Sequence, residues 1–500
     1  MEKMKKIIGM VFSVLLLSGC VDLKQEPLSF LTPENIIYDE ANLTNTANGL
    51  YRTLWHWNYG YCCRLFTLTL GADDVISGML SKSRTIVIDE LRADATISEL
   101  DVHWFWKNMY DLILNSNLMI EGIRGSNEDG VSENEKQAYL GEAYFMRAFA
   151  YYNLVRLFGD VPGIVDSKST QDILGNENIG RNKVADIYDK IIVPDLILAE
   201  TYLPETPRTK DNSSVGKIAA QTCLAEVYLT MAGWPLHRTE YYTKAAQKAR
   251  EIIEAPYNHH DLVDHYADLW KEVTKNDNTE HIFAVNCSRA TNMASQYGIS
   301  FLAQEEKGWS DYLGDAEFYL KYPDDERKEW NYQTTYTVPG RPKPNSYLQS
   351  AMKSPFIKKY RDYGITAAQS DGIIPIYRYA DVLLIYAEAQ NLASNGPDDL
   401  AYDCINRIRK RAIGGTANNV PEGLSCELFD KYVFDERGWE FFAEYKRWFQ
   451  LVRREKVEEC NLYNERVVAA GNINRNKENY LMPLPPKQVE LCKFTQNSGY

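Results

Sequence analysis

The chain is poor in the residues and motifs that would mark it as an enzyme. Histidine is scarce, 7 in 500 residues. No H-E-x-x-H, G-x-S-x-G, P-loop or dinucleotide fingerprint occurs, so zinc-hydrolase, serine-hydrolase and nucleotide chemistry have no motif to start from. Beyond Cys20, the cysteines Cys62, Cys63, Cys223, Cys287, Cys404, Cys426, Cys460 and Cys492 are too scattered for a disulfide framework. Cys223 and Cys404 fall in apolar helical patterns and read as small core residues. The adjacent Cys62 and Cys63 read as separate thiols, with a vicinal bridge as the alternative. After the N-terminus no apolar run approaches the roughly 18 residues of a membrane span. No Ser/Gly-rich or Pro-rich linker separates Asn42 from the C-terminus, so residues 41–500 are expected to form one large domain.

Charge of one sign is also short. The formal net charge is -14, which disfavours nucleic acid and anionic lipid headgroups as partners. The first twenty residues, MEKMKKIIGMVFSVLLLSGC, put Lys3, Lys5 and Lys6 before an apolar run from Ile7 to Leu17, the layout of a signal peptide over 1–20. The run ends in Leu17-Ser18-Gly19-Cys20, which looks like a bacterial lipobox. Cys20 is therefore expected to become an acylated N-terminus, as with palmitate. At roughly 0.8 kcal/mol per buried methylene, several acyl chains would make the tether effectively permanent. Residues 21–40, polar and carrying Pro27 and Pro33, read as an extended arm.

What the chain has in abundance is helical periodicity. From Asn134 onward, Leu140, Tyr144, Arg147, Tyr151, Leu154 and Phe158 line one face, while Phe145, Phe149 and Tyr152 cover another. The spacing predicts a helix buried between neighbours and stopped at Gly159. A hairpin is expected from Lys217 to Glu254, turning at Trp234-Pro235. Another is expected from Tyr379 to Ala412, turning at Gly396-Pro397; its 34 residues match the tetratricopeptide period. The fold class is mostly α: tetratricopeptide-like hairpins forming a scaffold for long aromatic-rich loops with a few short strands. Two stretches lack a sustained period, residues 59–100 and 281–371, which include the strand-like runs RTIVID and EHIFAVN. Their aromatic content argues against disorder, and the ligand site is expected there.

Several motifs resemble those of the SusD/RagB family. They are GEAYFMRAFAYYNLVRLFGDVP (Gly141 to Pro162), RYADVLLIYAEAQN (Arg378 to Asn391), INRIRKRA (Ile405 to Ala412), FDERGWEFFAEYKRWFQLVRRE (Phe434 to Glu455) and LMPLPPKQVELCKFTQNSGY (Leu481 to Tyr500). Together they span nearly the whole chain after Cys20. The resemblance implies a surface-exposed outer-membrane lipoprotein that lies as a lid over a SusC-like TonB-dependent transporter and captures its nutrient without catalysis. Most such proteins bind glycans in polysaccharide utilisation; the alternative is a peptide-binding lid of a RagA-like transporter. No cofactor is implied.

Within that frame, Glu436, Glu440 and Glu444 recur every four residues, with Arg437 and Arg447 at i+3 reach of Glu440 and Glu444. They read as an ion-pair ladder clamping helices rather than a glycosidase acid pair. His259, His260, Asp261, Asp264 and His265 lack a metal-ligand spacing and read as a solvated loop. Sugar recognition asks for aromatic faces and planar polar side chains. The candidates are Trp55, Trp57, Tyr59 and Tyr61 in the first stretch, with Asp73, Asp74 and Arg84. In the second stretch they are Arg289, Asn292, Trp309 and Tyr312. Trp104 and Trp106 are assigned to packing. The Asp pair reads equally well as a turn-forming device. Trp309, flanked by Gly308, Ser310 and Asp311, stands in a polar setting where a core tryptophan is less expected.

Overall fold

The computed structural model describes residues 39–55, 61–78, 88, 99–126, 131–171, 179–361, 371–415, 418–461 and 477–500. The leader, Cys20 and nearly all of the 21–40 arm lie outside them, as does the RTIVID run apart from Ile88.

The helix Glu133–Phe158 begins at a capping box. Ser132 Oγ accepts the Glu135 N–H, and the Glu135 carboxylate accepts the Ser132 N–H at 2.9 Å. Such a cap contributes about 1 kcal/mol. The helix ends at Gly159, whose φ of 71° suits the missing side chain. From Gly141 to Phe158 every residue but Arg156 is buried, because the helices Glu99–Gly125 and Val193–Tyr202 both pack on it. The one guanidinium in its middle is neutralised: Arg147 grips Asp195 with Nε and Nη2 at 2.7 and 2.8 Å.

Both expected hairpins form. Lys217–Ala232 and Tyr241–Glu254 are joined through the cis Trp234–Pro235 bond. Tyr379–Ser394 ends on left-handed Asn395, and Asp399–Ile413 restarts where the Asp398 carboxylate accepts the Ala401 N–H at 2.8 Å. The apolar faces of Tyr241–Glu254 and Tyr379–Ser394 meet, so the hairpins stack as adjacent repeats do.

Between His281 and Asp371 short elements alternate with loops. His281–Cys287 pairs antiparallel with Gly372–Arg378. Val75–Ser77, Tyr312–Gly314, Phe356–Ile357 and Tyr332–Gln333 make a small four-stranded sheet, so the two aperiodic stretches meet in space.

The C-terminal motif is not one helix. Cys426–Glu440 stops at Phe441, Ala443 and Tyr445 take φ of 57° and 48°, and Arg447–Arg453 resumes. Other parts of the chain take up the backbone groups freed by this break. The Ala443 N–H donates to Asp74 at 3.2 Å, Tyr360 donates to the Ala443 carbonyl at 2.8 Å, and Lys359 Nζ to the Phe442 carbonyl at 2.7 Å.

The break also redirects the three glutamates. They do clamp elements together, but their partners are remote in sequence rather than at i+3. Glu436 and Glu440 both bind Arg327; Glu440 also binds Arg378 and Arg411; Glu444 binds Arg378 and Lys359. With Arg409, Asp325 and Glu280 added, five cations face five carboxylates, and all but the Arg409 and Arg411 side chains are fully enclosed. Burial alone would raise the Glu444 carboxyl, but Arg378 and Lys359 outweigh it and hold it at about 2. Burial, with the nearby Arg378 charge, pushes the Lys359 ammonium down to about 8 despite the same contact with Glu444. Arg437 lies along Glu388, and Arg447 along Asp73.

Candidate functional site

Trp309 stands on backbone held by hydrogen bonds on every side of it. Four consecutive N–H groups fold back onto the preceding helical turn. Gly308 donates to Ala303 at 2.8 Å, Trp309 to Ile299 at 2.9 Å, Ser310 to Leu302 at 3.0 Å and Asp311 to Ser300 at 2.8 Å. Lys307 and Ser310, on either side, hold positive φ of 69° and 50°. The turn packs so closely that a Cβ on Gly308 would lie 2.1 Å from the Leu302 oxygen. A second glycine, from the other aperiodic stretch, locks it from outside: Gly78 donates to the Asp311 carbonyl at 2.9 Å, and a Cβ there would lie 1.8 Å from the Ser310 oxygen. On this loop Trp309 is 37% exposed. An aromatic face fixed in advance loses little entropy on binding. Gly78 carries no signal in the sequence, because its role depends on a neighbour more than two hundred positions away.

The other candidates separate into groups. Tyr312 points inward: its hydroxyl meets Thr67 at 2.7 Å and its ring packs on Phe66 and Phe301. Asp73 grips Arg447 through two bonds of 2.7 and 3.0 Å and borders a cavity of about 800 Å³ that also touches Phe318, Phe434 and Trp439. Asp74 is buried; burial and the adjacent Asp73 push its carboxyl up to about 7, against the pull of the Ala443 N–H and Arg447. Both aspartates thus brace the broken C-terminal turn.

Trp55, Arg289 and Asn292 are brought together. The Trp55 indole N–H donates to the Met293 carbonyl at 2.7 Å, at the end of a tight turn between Ser288 and Met293. Asn292 sits in that turn at φ 57°, and Arg289 is held by Asp371 at 2.8 Å. Trp57, Tyr59 and Arg84 lie outside the described residues, and the Cys62, Cys63 and Tyr61 side chains are not described. Trp106 is core and Trp104 half-buried. His260 Nδ1 lies 2.9 Å from the Thr279 carbonyl, and Asp261 pairs with Arg407. Among the described residues no group of three or more His, Cys, Asp or Glu is placed to hold a metal ion.

Two family descriptions match the chain: "SusD family" over residues 164–500, and "Starch-binding associating with outer membrane" over residues 35–229. A SusD-like protein, P2, of Formosa agariphila is 30% identical with all of both chains covered. Among solved structures, a SusD homolog from Bacteroides thetaiotaomicron superposes with a TM-score of 0.82 at 22% identity, covering 94% of this chain and 98% of that one. A laminarin binding SusD-like protein superposes with a TM-score of 0.73 at 20% identity, covering 92% of this chain and all of its own.

Proposed function

The chain belongs to the SusD family, and from that premise we propose that it is a glycan-binding lipoprotein of the outer membrane that captures oligosaccharides without cleaving them. The observation that carries this reading is the rigid, exposed Trp309. A pyranose presents an apolar C–H face that stacks on an indole, and the loop needs no rearrangement to receive it. The laminarin-binding neighbour supports the same ligand class, and the family description supports the location. No described helix is long and apolar enough to cross a membrane. Attachment through acylated Cys20 supplies the anchor, and a SusC-like TonB-dependent transporter is the recipient of the captured sugar.

Affinity in the millimolar to micromolar range, about -4 to -8 kcal/mol, suits handover to such a partner. Calorimetric titration of the detergent-solubilised chain against oligosaccharides and peptides tests the reading. Saturable heat with one glycan class, no products after long incubation, and about a tenfold loss of affinity in Trp309→Ala with an unchanged melting curve are expected. Heat only with peptides, or cleaved sugars, overturns it.

A further inference from the structure

A second concave surface lies beside the helix Glu40–Trp55, away from the Trp309 loop in sequence and built from different elements. It is a pocket of about 500 Å³, within the usual size of small-molecule sites, with Tyr51, Trp55, Phe283 and Met293 as its apolar wall. The wall is fixed. Trp55 is tied to Met293, Tyr51 meets Phe283 edge-on with ring centres 6.0 Å apart, and the Tyr51 hydroxyl donates to Glu142 at 2.7 Å while accepting the Val215 N–H at 3.0 Å.

Its polar groups are unusual for so acidic a chain. No Asp or Glu lines the pocket, whereas Arg52 and Arg208 both do. Arg208 is neutralised by Glu142 at 2.8 Å. Arg52 is exposed, and no described residue pairs with it. The nearby Asp211 is occupied by Thr209 and Ser213 at 2.7 and 2.5 Å. Deeper in, Asn286 donates from Nδ2 to Asn212 at 2.9 Å, which leaves its Oδ1 enclosed with no hydrogen-bond partner.

We infer that this pocket is a separate subsite for a sugar unit carrying a carboxylate or a sulfate ester. The ring packs on the half-buried Trp55, and the anion pairs with the exposed Arg52. The choice of a sugar rests on the glycan-capture reading; the preference for an anion rests on the pocket alone.

Ligand-observed saturation-transfer NMR on the detergent-solubilised chain, with D-glucuronate, D-glucose 6-sulfate and D-glucose as probes, tests it. At least one anionic sugar is expected to bind tenfold or more tightly than glucose. Arg52→Gln should erase that preference, and Trp309→Ala should leave it intact. Equal binding of all three sugars, or a preference lost in Trp309→Ala and kept in Arg52→Gln, overturns the inference. So does displacement of glucuronate by a dipeptide at lower concentration, which reassigns the pocket to peptide carboxylates. Neutral glycans binding through Trp309 with no anionic preference would sink this inference alone. Glucuronate binding here with no oligosaccharide binding in calorimetry would sink the general reading alone.

Discussion

The charge knot around Arg378 and the surface around Trp309 draw on the same aperiodic stretch of chain, yet they spend its residues in opposite ways. Arg327 and Lys359 are carried inward, where every charge must find a partner because water is absent. Trp309 is carried outward on a loop of backbone hydrogen bonds, where a large apolar residue is left exposed to water. The knot ties the stretch to the helical scaffold, and the loop presents what the tied stretch displays. The difference separates residues that hold the molecule together from residues free to meet a ligand, and it can be broken from either side.

The largest effect is expected inside. Arg378→Met leaves Glu280, Glu440 and Glu444 short of a cation and should cost about 3–5 kcal/mol, read by denaturant unfolding. Next comes Gly78→Ala, which drives a methyl group into the Ser310 carbonyl. It should lower stability by about 1–3 kcal/mol and weaken glycan binding although Trp309 itself is untouched; unchanged affinity would mean that the loop does not need to be rigid.

A pH series sharpens the contrast further. The Glu444 carboxyl, held at about 2, lies below its unfolded value of about 4.3. Its contribution is therefore complete above that unfolded value and is lost as pH falls toward 2. The Asp74 carboxyl, raised to about 7 by burial, has the opposite sign: the folded state holds its proton more tightly, so stability falls as pH rises from about 4 to 7. Asp74→Asn should match the parent at pH 5 and exceed it at pH 8, by on the order of 1–2 kcal/mol in thermal melts. A parallel shift at both pH values would show that Asp74 is not the titrating group. The smallest effect belongs to the exposed helix pair Lys431 and Asp435, where Lys431→Ala should change stability by under about 0.5 kcal/mol.

The helical elements were legible because burial imposes a period. The faces of Glu133–Phe158, the Gly159 stop and the two hairpin turns follow from apolar spacing and breakers. The charge ladder was legible as a clamp, but not in its partners. A spacing of four residues says that Glu436, Glu440 and Glu444 share a helical face; it does not say that the helix breaks at Phe441 or which arginines arrive from elsewhere. Among the binding candidates, polar flanks singled out Trp309, whereas Tyr312, three positions on, gave the same signal and packs inward. Arg52 and Asn286 gave no signal, since one looks like any exposed helical arginine and the other like a strand residue.

By itself, the amino-acid sequence determined the mostly α architecture, the stacked hairpins and the family, because each is written in local periodicity and in motifs that keep their order along the chain. Tertiary structure decided which aromatics face water, which carboxylates are held ionised and where the unpaired Asn286 acceptor lies. Those properties depend on what reaches each side chain from distant parts of the chain, and burial and electrostatics act through space rather than along the sequence.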